Sequence, residues 1–176
     1  FTSSDIMRPI IGQQKSAFNF REIMDEKKIL LVALPKGLLG DMSAALLGMI
    51  ISSKIQIAAF SRQNQPEEAR VPFYLYVDEF QNFTTPSISS ILSEARKYKL
   101  GLSVAHQYLA QLSDDIKNSV LGNVGSMAVF RISSEDAEVL QKRMEPVFTV
   151  QDIMKLDNRN AYVSMLVDGT PAKPFS

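Results

Sequence analysis

Two adjacent carboxylates, Asp78 and Glu79, follow directly on the apolar run Phe73–Val77. In that position they can bind a metal ion or activate a water molecule. An apolar run of this length after Pro72 predicts a strand that is buried on both faces. Carboxylates at the end of such a strand need a partner or a metal ion, because burying an unpaired charge is costly. The alternative is that the two acids simply begin a solvated loop.

The arrangement is typical of a Walker B element, because ligands bind at the carboxyl ends of strands in open parallel sheets. In this interpretation Asp78 holds Mg²⁺, directly or through a water molecule. Glu79 orients and activates the water that attacks a γ-phosphate. The residues that follow the pair along the chain support this interpretation.

Gln107 and Arg96 come next as candidates. Gln107 ends the predicted strand 102–107, and a strand–helix–strand spacing can place it beside the carboxylates, where its amide can sense a γ-phosphate or hold the attacking water. Arg96 lies in the last turn of the predicted helix 87–98, at the border of its apolar stripe, and can project towards a neighbouring subunit's nucleotide as an arginine finger. The alternative for Arg96 is a solvated basic helix end, which is favourable at a C-terminus.

The elements that must position these residues alternate along the chain. Apolar runs predict strands at 27–34, 73–77, 102–107 and 126–132. The small residues Gly101, Ser103 and Ala105 suit close helix packing on one face of the third strand. Helices are predicted from Tyr108 to about Leu121, and after capping signals at Ser133 with Asp136 and at Thr149 with Asp152. The longest helix is predicted from a cap at Asp41 or Ser43 to about Arg62. Asp168-Gly169 is a hairpin signal. This order predicts an α/β fold with a mostly parallel sheet and a C-terminal antiparallel hairpin.

The composition sets limits on what the chain can do. Its 176 residues have a formal net charge of zero, so any contact with DNA would have to be local. There is no cysteine, which excludes disulfides and thiolate chemistry and is compatible with the cytosol. The apolar stretch Ala44–Ile51 is too short to cross a bilayer, so no transmembrane segment is expected.

The motifs together resemble a known family. LPKGLLG (34–40), VDEF (77–80), SEARKYKLGLSVAHQYLAQL (93–112) and GNVGSMAVFRIS (122–133) are similar to the RecA-like ATPase domain of TraD/TraG-like coupling proteins of type IV secretion and conjugation, within the HerA/FtsK superfamily. The resemblance spans about residues 27–175. It implies a partial RecA-like P-loop NTPase, a three-layer sandwich, with residues 1–26 as an irregular lead-in and 27–176 as core.

The resemblance also implies a function. Such a protein is expected to be a hexameric motor that hydrolyses ATP with Mg²⁺, moves DNA through a central channel and contacts relaxosome or secretion-channel proteins. It is expected in the cytoplasm, at the inner-membrane face through an upstream segment. By motif, Asp78 and Glu79 match the Walker B acids, Gln107 the sensor glutamine and Arg96 the candidate finger.

The phosphate-binding loop is missing from the pattern. No G-x-x-x-x-G-K-[ST] occurs, and Pro35–Asp41 cannot supply the phosphate cradle, the lysine and the Mg²⁺-binding hydroxyl together. We therefore expect the chain to be the C-terminal part of a motor domain that binds nucleotide poorly on its own and is inactive alone. The alternatives are a related ATPase of pilus assembly or DNA-end processing, and a non-enzymatic protein-recognition module.

Overall fold

The structure is a computed structural model that describes residues 5–176, with the backbone alone for residues 86 and 87. The chain forms two compact units, Phe1–Ala105 and His106–Ser176. The boundary falls between Ala105 and His106, inside the segment that was predicted as one strand, 102–107. The assignment of residues 27–176 to one motor core stays a prediction.

The described part of the first unit contains five α-helices and two strands. They are α1 (Met7–Ile11), α2 (Phe20–Asp25), α3 (Lys36–Leu39), α4 (Asp41–Phe60), β1 (Phe73–Val77), α5 (Pro86–Glu94) and β2 (Leu100–Val104). Short 3₁₀ helices occupy Ser61–Asn64, Glu67–Ala69, Phe80–Phe83 and Ala95–Tyr98. The segment 1–26, predicted as irregular, therefore carries two short helices within residues 5–26.

Helix α4 confirms the longest predicted helix but not its predicted cap. The capping residue is Gly40, and neither Asp41 nor Ser43 caps the helix. Gly40 has φ 79 and ψ 152, a conformation that only glycine adopts readily, so the helix begins directly after it. Asp41 lies instead in the first turn, where its charge complements the helix dipole.

Among the described residues, one helical stretch, Asp41–Asn64, is long and apolar enough to cross a membrane. Its most apolar window has a mean hydropathy of 1.5, and 44% of that window is buried inside the fold. Buried core helices of globular proteins meet the same criteria, and buried residues such as Ala44, Leu47 and Ala59 belong to this packing. Length and composition alone are therefore weak evidence for a membrane span.

Strands β1 and β2 pair in parallel, with Phe73 opposite Leu100 and Val77 opposite Val104. The prediction that β1 is buried on both faces is wrong, because Tyr74 and Tyr76 are 64% and 75% exposed. The alternate residues of the strand, Phe73, Leu75 and Val77, are partly buried. A tyrosine joins an apolar ring to a polar hydroxyl, so an apolar-looking run can present one face to water.

The glycine of β2 also packs differently from the expectation of close helix packing. A Cβ atom on Gly101 would lie 2.8 Å from Cδ1 of Tyr74, the residue opposite it on β1. The small residue therefore accommodates a ring from the neighbouring strand. Any larger side chain at this position would push the Tyr74 ring off the sheet.

The strand predicted at 27–34 does not form. Residues 28–35 have no regular secondary structure, and Ile29 and Leu31 are each 88% exposed. An extended apolar run becomes a strand only when a neighbour satisfies its backbone hydrogen bonds. No described residue supplies that neighbour, so the local pattern alone overstated the order of this segment.

The second unit is built from three helices and two antiparallel strand pairs. The elements are α6 (Asp114–Asn123), β3 (Met127–Val129), α7 (Ser134–Met144), α8 (Val150–Met154), β4 (Tyr162–Ser164), β5 (Leu166–Val167) and β6 (Thr170–Pro171). The helix predicted from Tyr108 to Leu121 is instead a 3₁₀ turn at Leu109–Gln111 followed by α6. The core consists of Leu109, Val129, Ala137, Leu140, Met144 and Ile153.

Local capping and turn signals in the second unit are confirmed. Ser133 accepts a hydrogen bond from the Asp136 amide at the start of α7, and Thr149 and Asp152 form a capping box on α8. The Thr149 hydrogen bonds hold the pKa of Asp152 below its usual value. Asp168 and Gly169 both have positive φ in the turn between β5 and β6. With β1–β2 parallel and the terminal hairpin antiparallel, the chain has the predicted α/β class.

An arginine network holds the first unit together. Arg62 is fully buried, pairs with Asp25 across 3.1 Å and donates hydrogen bonds to the carbonyls of Val71 and Tyr98. Arg21 binds the same carboxylate from within α2. Burial lowers the pKa of Arg62, and the Asp25 charge opposes this shift. The pair thus links α2 to the chain on both sides of β1.

Replacing Asp25 by Ala should cost about 3–5 kcal/mol of stability, because it leaves the Arg62 charge buried without its counter-ion. The matched control is Asp114→Ala, which removes one partner of the exposed pair with Lys117 and should cost about 1 kcal/mol or less. Urea unfolding of the 176-residue chain measures both. Equal losses would contradict a structural role for the buried pair.

Candidate functional site

The carboxylate pair sits on an irregularity at the end of β1. The Ala105 amide donates to the Val77 carbonyl at 2.9 Å, and the Phe80 amide donates to the Ala105 carbonyl at 2.9 Å. In a regular parallel ladder Glu79, two residues beyond Val77, would make the second bond. One extra residue is therefore accommodated opposite Ala105, as in a β-bulge, a feature that often occurs beside active sites.

Glu79 carries the strain of this bulge. Its backbone has φ 50 and ψ 43, the left-handed region that costs a residue with a Cβ atom about 1–2 kcal/mol. Its carboxylate accepts a hydrogen bond from the Gln81 amide at 2.7 Å, and the Asp78 carboxylate accepts from the Glu79 amide at 2.9 Å. Asp78 is exposed and Glu79 is partly buried. Strained residues of this kind cluster at functional sites, which makes the pair a candidate for function.

Two phenylalanines anchor the segment that follows the acids. Phe80 is fully buried, and the ring of Phe83 lies so close to Gly48 of α4 that a Cβ atom there would overlap it. The Asn82 amide and side chain both donate to the Glu79 carbonyl. The acids are therefore held between a paired backbone at Ala105 and an aromatic anchor on α4.

Arg96 lies at the other end of the same sheet. It belongs to the 3₁₀ helix Ala95–Tyr98, which leads into β2, and its side chain is exposed. Because the strands are parallel and Leu100 is opposite Phe73, Arg96 lies near the start of β1 and the acids near its end. The length of β1 separates them by about 13 Å. The structure does not bring Arg96 and the acids of one chain together.

Gln107 belongs to the second unit and is exposed. Strand β2 ends at Val104, so Gln107 follows the strand rather than ending it. Its loop is fixed within the second unit, because the buried carboxylate of Asp136 accepts a hydrogen bond from the Leu109 amide at 3.1 Å. Its position beside the acids stays a prediction.

The donor set fits one part of the expected Mg²⁺ site. An exposed carboxylate such as Asp78 is the hard oxygen ligand that Mg²⁺ prefers, and Mg²⁺ usually takes the rest of its ligands from phosphates and water. Within residues 5–176, no group of three or more His, Cys, Asp or Glu side chains is gathered as a metal site. The residues present supply no phosphate cradle, so a nucleotide has no complete site on this chain.

A cavity of about 650 Å³ lies elsewhere in the first unit, between residues 16–22 and α4. A smaller one of about 310 Å³ is lined by Met49, Ile50, Ser53, Lys54 and Ile57. None of the predicted site residues lines either cavity.

The sequence analysis missed two buried charged residues. Arg62 continues the buried positions Ile55 and Ala59 of α4 at helical spacing, and that spacing was the available signal for its burial. Asp136 was read only as part of a helix cap, whereas its side chain also binds the Leu109 amide. No local sequence pattern predicts that second contact, because Leu109 and Asp136 are far apart in sequence.

A comparison with protein families gives a match within this chain. Residues 72–143 match the family described as the TraM recognition site of TraD and TraG. The matched segment contains Asp78, Glu79, Arg96 and Gln107. This indicates similarity to the C-terminal part of TraD- and TraG-like conjugation proteins. A comparison with the curated proteins finds no match.

Solved structures of one bacterial coupling protein share the fold. The unbound monoclinic form of TrwBdeltaN70 superposes with a TM-score of 0.58 at 22% identity, over 76% of this chain and 38% of that one. TrwB with the GTP analogue GDPNP and TrwB with ADP and Mg²⁺ each give 0.56 at 20% identity, over 73% of this chain and 36% of theirs. The chain thus spans less than two fifths of the length of these proteins.

The strain at Glu79 can be measured by comparing Glu79→Gly with Glu79→Ala. Both changes remove the carboxylate and its bond to Gln81, but glycine adopts the left-handed conformation freely. The glycine variant should therefore be more stable by about 1 kcal/mol. Glu138, an exposed position in a helix, is the control, and there the alanine variant should be more stable than the glycine variant by about 1 kcal/mol. Thermal unfolding measures both differences, and the same order at both positions would show that Glu79 is not strained.

Proposed function

Because residues 72–143 match the family described as the TraM recognition site of TraD and TraG, we propose that the intact protein is a conjugative coupling protein that hydrolyses ATP to move DNA. The observation that supports the ATPase activity most is the bulged acid pair at the carboxyl end of β1. The coupling proteins with the same fold include forms with GDPNP and with ADP and Mg²⁺. The protein would act in the cytoplasm at the inner-membrane face.

In this proposal each candidate residue has a distinct role. Bound Mg-ATP would supply the γ-phosphoryl group that is transferred to water. The Asp78 carboxylate would hold the metal, directly or through a water molecule, and the Glu79 carboxylate would orient the attacking water and take its proton. The Gln107 amide would sense the phosphate or hold the same water.

The position of Arg96 supports a site that is completed by a second copy. Arg96 is exposed and lies at the opposite end of the β1–β2 sheet from the acids, a separation that favours a role towards a second copy over one towards the acids of its own chain. In a ring of identical subunits, which we propose to be a hexamer around DNA, it would reach the nucleotide of the neighbour as an arginine finger.

Glu79→Gln in the intact protein should keep ATP binding and abolish turnover, because the change is nearly isosteric but removes the base. A loss of 10³-fold in kcat corresponds to about 4 kcal/mol, at about 1.4 kcal/mol for each factor of ten. Steady-state ATPase assays and nucleotide titration measure the two properties. Glu68→Gln, at an exposed position, is the control, and normal turnover by Glu79→Gln would contradict the role of Glu79.

Arg96→Ala should also lose turnover, by about 10³-fold or more, if it acts as a finger. A finger acts on the neighbouring subunit, so mixing Arg96→Ala with Glu79→Gln subunits should recover part of the activity. Complete sites form wherever an intact arginine faces an intact acid pair. Arg8→Ala, another exposed arginine, is the control. Near-normal activity of Arg96→Ala alone would favour the solvated helix end.

A second function is favoured by the family match itself. The matched segment is described as a recognition site for TraM in TraD and TraG. We propose that residues 72–143 bind a relaxosome protein of the TraM type. This role needs no nucleotide, so it can operate in a chain that lacks a phosphate-binding loop.

The 176-residue chain should therefore bind a TraM-like protein at about micromolar concentrations, and Glu79→Gln should bind it equally well. Calorimetry with and without Mg-ATP measures this, after circular dichroism has verified that the chain is folded. A protein of similar size and charge without a role in conjugation is the control. A folded chain without affinity for the TraM-like protein would refute the recognition role.

A further inference from the structure

We propose that Arg70 and Arg62 are positioning residues that hold the turn Ala95–Tyr98 so that Arg96 projects from the first unit. This inference rests on the proposed role of Arg96. It concerns two residues that lie outside the segment matched by the family comparison, 72–143.

Both arginines bind the backbone next to Arg96. Arg70 donates to the Lys97 carbonyl, and its guanidinium carbon lies 5.4 Å from the centre of the Tyr98 ring. Arg62 donates to the Tyr98 carbonyl at 3.1 Å from its fully buried position. The two carbonyls that follow Arg96 are therefore each bound by a guanidinium group.

The two arginines are themselves fixed. Arg70 also donates to the Gln65 carbonyl at 2.8 Å and to the Arg62 carbonyl at 3.1 Å. Arg62 is held by Asp25 and by the Val71 carbonyl. The turn Ala95–Tyr98 is thus held by hydrogen bonds from charged guanidinium groups, which are stronger than hydrogen bonds between neutral groups.

The rest of the turn leaves Arg96 little backbone freedom. Ala95 is buried, and the Lys99 amide donates to the Arg96 carbonyl at 3.0 Å. Lys99 has φ 55 and ψ 34, and its carbonyl accepts from the Phe73 amide at 2.8 Å as β2 begins. The exposed Arg96 side chain therefore leaves from a fixed backbone. A residue fixed in this way loses less entropy when it meets a neighbour's phosphates.

A purely structural role makes a different prediction. If Arg70 only joined two segments, its loss would lower stability without a specific effect on turnover. Arg21 provides the comparison, because it ties α2 to Ser61 and Asn64 in the same network without touching the turn.

The test uses the intact ATPase. Arg70→Ala should lower kcat at least tenfold with little change in the KM for ATP. The double variant Arg70→Ala/Arg96→Ala should be no slower than Arg96→Ala, because both changes act through one side chain. Arg70→Ala subunits should also recover activity when mixed with Glu79→Gln subunits. Arg21→Ala should keep kcat within twofold even where it lowers Tm. Arg70→Lys, which keeps one donor for the Lys97 carbonyl, should restore part of kcat.

The outcomes separate the two proposals. If Arg96→Ala is slow while Arg70→Ala and Arg62→Met turn over normally, the positioning role is refuted and the finger stands. If Arg70→Ala and Arg96→Ala multiply their losses, Arg70 acts independently and the inference is also refuted. Normal turnover by Arg96→Ala refutes the finger itself. If Arg70→Ala does not assemble, the same comparison with Arg70→Lys decides.

Discussion

The parallel pairing of β1 with β2 is the constraint on which the rest of the first unit depends. Its register places Phe73 opposite Leu100, and backbone bonds extend the ladder at both ends. At one end the Phe73 amide binds Lys99, and at the other Val77 and Phe80 bind Ala105. Asp78, Glu79 and Arg96 lie just beyond the ends of this ladder. The strand pairing therefore fixes the backbone from which their side chains extend.

Contacts outside the ladder set the shape of each end. At the acid end, Phe83 packs on Gly48 and Glu79 takes a strained conformation. At the arginine end, Arg62 and Arg70 bind the carbonyls of the turn. Buried guanidinium groups are costly unless paired, so Asp25 stabilises the arginine end indirectly. The two ends of the β1–β2 pair therefore differ. One carries the acids on a strained backbone, and the other carries Arg96 on a rigid turn.

The sequence predicted the features that depend on residues close together in the chain. The caps of α7 and α8 at Ser133 and Thr149, the turn at Asp168-Gly169 and the strand before Asp78 all have local signals, and all are confirmed. It failed where the outcome depends on distant residues. Whether 27–34 becomes a strand depends on a partner strand, and whether Tyr74 and Tyr76 are buried depends on what covers the sheet. The residues of an apolar run do not by themselves determine either outcome.

The candidate site shows the same division. Asp78, Glu79 and Arg96 were identified from residue type and spacing, but the bulge opposite Ala105 was not, because it is a property of the pairing. The burial of Arg62 had a weak signal in the helical spacing. The bond from Asp136 to the Leu109 amide had none, because residue pairs that are distant in sequence leave no local pattern.

The central claim is that a complete site takes its acids from one copy and its arginine from another. Residues 1–176 contain no cysteine, so single cysteines can be placed at Gln81, beside the acids, and at Lys97, beside Arg96, in an intact protein stripped of other cysteines. The two positions lie at opposite ends of β1, about 13 Å apart along the strand, beyond the Cα span of a disulfide, about 4.4–6.8 Å. Oxidation of the mixed single variants in the assembled ATPase should give disulfide-linked dimers. An intrachain bond in the double variant, or no linked dimers in an active assembly, would contradict the claim.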